Sequence, residues 1–171
     1  MRQWNSGQSV DGALAGATAA AVWALQQPLD KRLIGTTYDD VELLGKLVTR
    51  GPSWPVAGLA IHVANGALFG ALYTHVKPYL PGPPAGRGLA AAMVEHFGLW
   101  SLARLTDRFH PARAELESLA GNRRALAAAT WRHAVFGLIL GLLEHRMTGR
   151  GAVTIRRPGA DPPTRARSSV G

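Results

Sequence analysis

The chain has 171 residues, 47% of them hydrophobic, and a formal net charge of +8. It has no cysteine, which excludes disulfides, zinc–thiolate sites and thiol catalysis. The charge does not point to nucleic acid: residues 148–171 hold five arginines against one aspartate in a Pro/Gly/Ser-rich tail, and the other basic residues border apolar runs, where anionic headgroups attract them by about 1 kcal/mol each.

The first apolar segment runs from Gly12 to Leu29, with Asp11 placed to cap its start and Pro28 near its exit. A short apolar core after Arg2 also fits a signal peptide, but Asp11 and the single positive charge ahead of it argue for a retained helix, as does the Gly12/Gly16 pair. Thr37 to Val48 follows as a short amphipathic helix, with Thr37 and Asp40 arranged like a capping box and Val41, Leu44, Leu47 and Val48 on one face. It is too short to span a bilayer and suits the interface plane.

The chain is organised around Ser53 to Val76, 24 residues without a formally charged side chain. A helix of that length covers roughly 36 Å, enough to cross the hydrocarbon core. Gly58, His62, Gly66 and Gly70 recur on it every fourth residue. After the proline-rich PYLPGPPAG, a third span is read over Arg87 to Leu105, interrupted by Glu95 and His96. A second short helix is read over Pro111 to Leu119, and a fourth span over Ala125 to Leu143, interrupted by Arg132 and His133. That last span carries a near-copy of the stripe: Ala129, His133, Gly137 and Gly141.

The halves also align at Trp23, followed by Asp30-Lys31, and Trp100, followed by Asp107-Arg108. The order is span, acid–base pair, interfacial helix, span, twice over. The expected fold is therefore all-α, a four-helix transmembrane bundle made of two parallel two-helix repeats, each with a short interfacial helix. A tail occupies 1–10, the membrane domain 11–147 (repeat one 11–80, repeat two 85–147) and a disordered basic tail 148–171. Two spans per unit give both units one orientation, related by a pseudo-twofold axis along the membrane normal. Basic residues divide evenly between the two sides, and the tail arginines favour cytoplasmic termini.

The small residues Gly12, Gly16, Gly58, Gly66, Gly70, Gly137 and Gly141 are expected to let helices approach closely, since lipid supplies no hydrophobic drive for association. Ionisable groups inside a span need partners, so Glu95 and Arg132, of opposite sign near the middle of their segments, are expected to pair. His62, Asn65, His96 and His133 complete an intramembrane polar cluster. It can serve as a helix lock in a scaffold or assembly protein, as a route for protons or a small cation, or as a haem site. No catalytic or metal-binding motif is present, and the reading is of a non-enzyme without cofactor, whose partners are membrane lipids and a second copy or another membrane protein. A soluble Ala-rich bundle burying the same stripes is the competing fold.

At GALAGATAAAVWALQQPLD, HVANGALFGALYTHVKPYLPG and GLAAAMVEHFGL the chain resembles the YagU-like class of small bacterial inner-membrane proteins, with a weaker likeness over WRHAVFGL. The resemblance implies a multi-pass protein of the bacterial inner membrane without an established activity, and it carries over no catalytic residues.

Overall fold

The computed structural model describes residues 6–154, with side chains described for 6–149. Within them the chain is all-helical: α1 (Ser6–Ile34), α2 (Asp40–Val48), α3 (Trp54–Val76), a 3-10 turn (Lys77–Tyr79), α4 (Pro84–Trp100), α5 (Ala103–Phe109) and α6 (Arg123–Thr154). Two helical stretches, 54–79 and 123–149, are long and apolar enough to cross a membrane.

Several sequence expectations move. α1 starts at Ser6, so Asp11 lies inside the helix instead of capping it. Pro28 does not end α1 either; the helix continues to Ile34 and stops at Gly35, whose positive φ of 72° lets both Gly35 N and Thr36 N bond back to the Lys31 carbonyl. The cap of α2 is Asp39, whose carboxylate accepts from Glu42 N at 2.9 Å. The third segment breaks at Ser101, whose hydroxyl turns back onto the Gly98 carbonyl at 2.6 Å, and α5 follows the break.

Pro111 to Leu119 is a run of turns, not a helix. Asp107 accepts from Leu119 N, Ala120 N and the Ser118 hydroxyl, so those donors are committed across the loop. α6 runs on to Thr154, so residues 148–154 of the expected tail are helical. The rest of that tail, and residues 1–5, lie outside the described residues.

Close backbone contact between glycines sets the architecture. A Cβ built on Gly12 would strike the Gly70 carbonyl, and one on Gly16 the Gly66 carbonyl, which holds α1 antiparallel to α3. α6 meets α4 in the same way: a Cβ on Gly141 would strike the Pro84 carbonyl, one on Gly88 the Gly137 carbonyl, and one on Gly137 the Ala92 methyl, as one on Gly66 would meet Ala20. Pro84, Gly88 and Ala92 thus take the places of Gly12, Gly16 and Ala20. Gly58 and Gly45 form a third close approach, between α3 and α2.

In this register Trp23 and Trp100 do not correspond, because backbone approach is fixed by small residues and not by Trp. Counting on from Ala20 and Ala92, Glu95 stands where Trp23 stands, and Trp100 has a different setting. The glycine stripes of α3 and α6 do not face each other: Gly66 and Gly70 face α1, Gly58 faces α2, and Gly137 and Gly141 face α4.

α1 also packs extensively on α6, so the helices follow the spatial order α3, α1, α6, α4. A pseudo-twofold relation would require an α3–α4 contact to match that between α1 and α6. α3 and α4 make no such extended contact. Residues of all four helices instead border the space left between them.

Candidate functional site

Arg132 is fully buried. It does not pair with Glu95. Its Nε donates to Asp30 at 2.9 and 3.1 Å, its Nη2 to Asp30 at 2.5 Å, and its Nη1 to Asp40 at 2.7 Å. Both terminal nitrogens also reach the Tyr38 carbonyl. Tyr38 Oη donates to one oxygen of Asp40, and Trp23 Nε1 donates to the other at 3.2 Å. Burial, then the neighbouring Asp40, pushes the Tyr38 phenol well above its usual range, so it stays a donor.

The position of this lock corrects the expected depth. Arg132 lies in the first third of α6 and Glu95 in the last third of α4, both toward the end of the molecule that carries α2 and α5. Asp30 and Asp40 come from the end of α1 and the start of α2. Arg132 therefore stretches toward a helix end, the direction in which a long cationic side chain escapes the apolar interior.

Against this lock lies a cavity of about 330 Å³. His62 and Asn65 of α3, Glu95 and His96 of α4, His133 of α6 and Trp23 of α1 all line it, so the structure gathers every member of the expected polar cluster around one space except Arg132, which sits behind Asp40. Asn65 is otherwise exposed. Phe69 and Phe136 close the cavity toward the proline-rich connection, and Leu43, Leu102, Thr106 and Leu119 border it at the α2–α5 end.

The histidines are differently engaged. His133 directs Nδ1 to the Ala129 carbonyl at 2.8 Å and Nε2 to Glu95 at 3.0 Å. A carbonyl only accepts, so Nδ1 carries a proton and Nε2 faces the Glu95 carboxyl group. Thr130 gives its hydroxyl proton to the Leu126 carbonyl, so His96 Nε2 must donate to Thr130 Oγ1 at 2.9 Å. His62 is buried, and its Nε2 has no partner. Trp23 stands edge-on to both His62 and His133, with centroids 5.1 and 4.5 Å away, and so holds the two rings at matching depth.

The loop after α5 ties the α2–α5 end together. Glu117 accepts from Thr36 Oγ1, Thr37 N, Thr37 Oγ1 and Asn122 Nδ2 at 2.5 to 3.1 Å. Burial alone would raise its carboxyl, but these donors outweigh it and hold it down to about 2. Glu115 pairs with Lys46 at 3.0 Å and with Arg50. At the opposite end Lys77 pairs with the buried Glu144, which also accepts from Thr148 at 2.7 Å.

Asp30, Asp40, Tyr38 and Trp23 are the site residues that sequence reasoning missed. Asp30 reads as half of a surface acid–base pair and Asp40 as a first-turn residue of an interfacial helix. The available signal was the arginine itself: an Arg inside an apolar run demands a carboxylate within its reach, and these acids lie at helix ends that the chain folds back over α6. Among the described residues, no three histidine, aspartate or glutamate side chains are placed to hold a metal ion. No family profile, curated protein or solved structure matches the chain.

Proposed function

We propose that this chain is a multi-pass protein of the bacterial inner membrane, a four-span bundle grown from a duplicated helix pair, that binds a small molecule in the cavity between its helices. The observation that carries this reading is a space of about 330 Å³ bordered by all four long helices, with Trp23, Phe69, Trp100 and Phe136 on its wall beside His62, Glu95, His96 and His133. Small-molecule sites have this size and character, mostly apolar with a few convergent polar groups. The membrane setting is supported by the outward faces of the long helices, where Leu25, Leu29, Leu68, Leu72, Val94 and Leu138 are exposed. The duplication is supported by the shared glycine register of the two helix pairs.

Two other roles are weaker. Proton or cation passage needs a polar route to both ends, and Phe69, Phe136 and Leu140 stand between the histidines and the Lys77–Glu144 pair. A pure scaffold accounts for the Arg132 lock, since a satisfied buried ion pair fixes helices together, but leaves the space between the four helices without a purpose.

The absence of native cysteine makes single-cysteine topology mapping direct. In the four-span arrangement Ser53→Cys and Ala120→Cys label from one side of the membrane and Pro81→Cys from the other. Labelling of Ala120→Cys together with Pro81→Cys would mean that α4 does not cross, and release of the whole chain by a carbonate wash would mean a soluble bundle.

A further inference from the structure

We infer that the cavity takes one acyl chain of a bilayer phospholipid, which enters sideways between α3 and α4 while its headgroup stays at the membrane surface. This rests on the membrane and small-molecule reading above and adds the class of the guest and its way in.

The way in is set by the residues that are wall and surface at once. Asn65 of α3, Leu99 of α4 and Leu102 just beyond it all line the cavity, and all three are exposed, Leu99 by 57% and Leu102 by 47%. Glu95 lines it too, with its side chain 34% exposed. The opening therefore lies along the gap between α3 and α4, which make no extended contact. Asn65 stands eleven residues from either end of α3, and Glu95 eleven from the start of α4, so about 16 Å of helix separates each from the proline-rich end. That is the midplane of a hydrocarbon core about 30 Å thick. Leu99 and Leu102 follow toward the α2–α5 end. The slot thus runs from the midplane into one leaflet, level with its chains and short of its headgroups.

The nature of the walls decides for hydrocarbon. Trp23, Phe69, Trp100, Phe136, Leu43 and Leu119 stand around the space. Most polar groups among them are already bonded within the protein: His96 to Thr130, His133 to the Ala129 carbonyl and Glu95, Tyr38 and Trp23 to Asp40, and Asp40 to Arg132. The unpartnered Nε2 of His62 is itself buried. Among the described residues no lysine or arginine lines the cavity to hold a phosphate, so the headgroup has no place inside. A chain that leaves lipid gains no hydrophobic free energy, but it gives the aromatic and leucine side chains dispersion partners on the side that faces the cavity.

Size limits the guest to a single chain. Taking about 30 Å³ as the share of one water in the liquid, the cavity of about 330 Å³ matches roughly ten groups of that size, and a methylene is one such group. Two chains side by side do not fit.

The test uses the full chain in phosphatidylcholine nanodiscs whose acyl chains are either ordinary or brominated at mid-chain, because bromine quenches tryptophan fluorescence at short range. Trp23 is 5% exposed and on the cavity wall, whereas Trp131 is 52% exposed on the outside of α6. One protein keeps Trp23 alone, through Trp4→Phe, Trp54→Phe, Trp100→Phe and Trp131→Phe; a second keeps Trp131 alone, with Trp23→Phe in place of Trp131→Phe. Brominated chains should quench both. Asn65→Phe, which sets a ring in the slot from an exposed position, should reduce the quenching of Trp23 at least roughly twofold and leave that of Trp131 and the melting temperature unchanged. If Asn65→Phe does not fold, Leu99→Phe makes the same comparison. Equal quenching of Trp23 with and without the plug overturns the sideways entry of a chain. Quenching of Trp23 by free bromobenzene in ordinary lipid, but not by brominated chains, overturns the acyl-chain assignment and leaves a small-molecule site. Trp23 untouched by either while Trp131 is quenched overturns the chain and the small-molecule reading together, and an unquenched Trp131 overturns the membrane setting itself.

Discussion

The Arg132 lock and the histidine wall are neighbours that solve the same problem in opposite ways. Every charged atom of the lock is met: Arg132 by Asp30, Asp40 and the Tyr38 carbonyl, and Asp40 further by Tyr38 and Trp23. On the other side of Trp23, His62 keeps a buried polar atom with no partner, while its ring borders the cavity. Polar groups are costly in such surroundings, so one region spends its side chains on satisfying each other and the other holds a group in reserve. The contrast separates a region closed on itself from one that borders a cavity.

The sharpest break in this comparison is Arg132→Met. It leaves two carboxylates buried without their cation and should cost about 3–5 kcal/mol, read as a large fall in thermal stability in detergent. Adding Asp30→Asn and Asp40→Asn should recover most of the loss, because neutral amides do not need the guanidinium. A stable single mutant would show that the lock contributes nothing to the fold. Behind the cavity, Gly66→Val puts branched carbons where the Gly16 carbonyl and the Ala20 methyl lie, and overpacking of this kind costs typically about 1–3 kcal/mol. Gly98→Ala, with nothing within reach of the added carbon, is the matched control and should melt with the parent.

Trp23→Phe touches both regions. It removes the indole N–H from Asp40 and keeps an aromatic body between the histidines, so a loss of about 1 kcal/mol is expected. His62→Leu should change the sign of the argument: exchanging an unpartnered polar ring for an apolar side chain should leave the melting temperature unchanged or slightly higher, and a clear drop would show that the histidine serves the fold after all.

The smallest effect is set by pH. The folded-state carboxyl of Glu117 lies below its ordinary value of 4.5, so the stability it lends is complete above that value and declines as pH falls toward about 2. Glu117→Gln should flatten that part of an acid titration of the melting temperature. An unchanged slope would place the acid sensitivity elsewhere.

Much of the helical layout was legible because apolar runs, glycine spacing and prolines are local signals. α3 was read to within a residue, and Gly66 and Gly70 of its stripe sit on the backbone of α1. Pro28 misled because a proline on an exposed helix face costs one bond without stopping the helix. The helix expected at Pro111 failed for a non-local reason: Asp107 and Thr36–Thr37 claim its donors and acidic groups from outside the segment. The partner of Arg132 was hidden for the same kind of reason, since Asp30 lies 102 residues away along the chain. What the sequence cannot print is the company that tertiary folding brings to a residue.

The unequal use of the two helix pairs carries a last consequence. In a doubled unit whose halves met symmetrically, α3 and α4 would close on each other as α1 and α6 do, and their inward side chains would be held to the demands of packing. Because that second seam stays apart, a histidine on one surface and a glutamate on the other border a common cavity. A bound guest would then serve as the missing half of the seam, and its arrival would be felt as a tightening of the whole molecule.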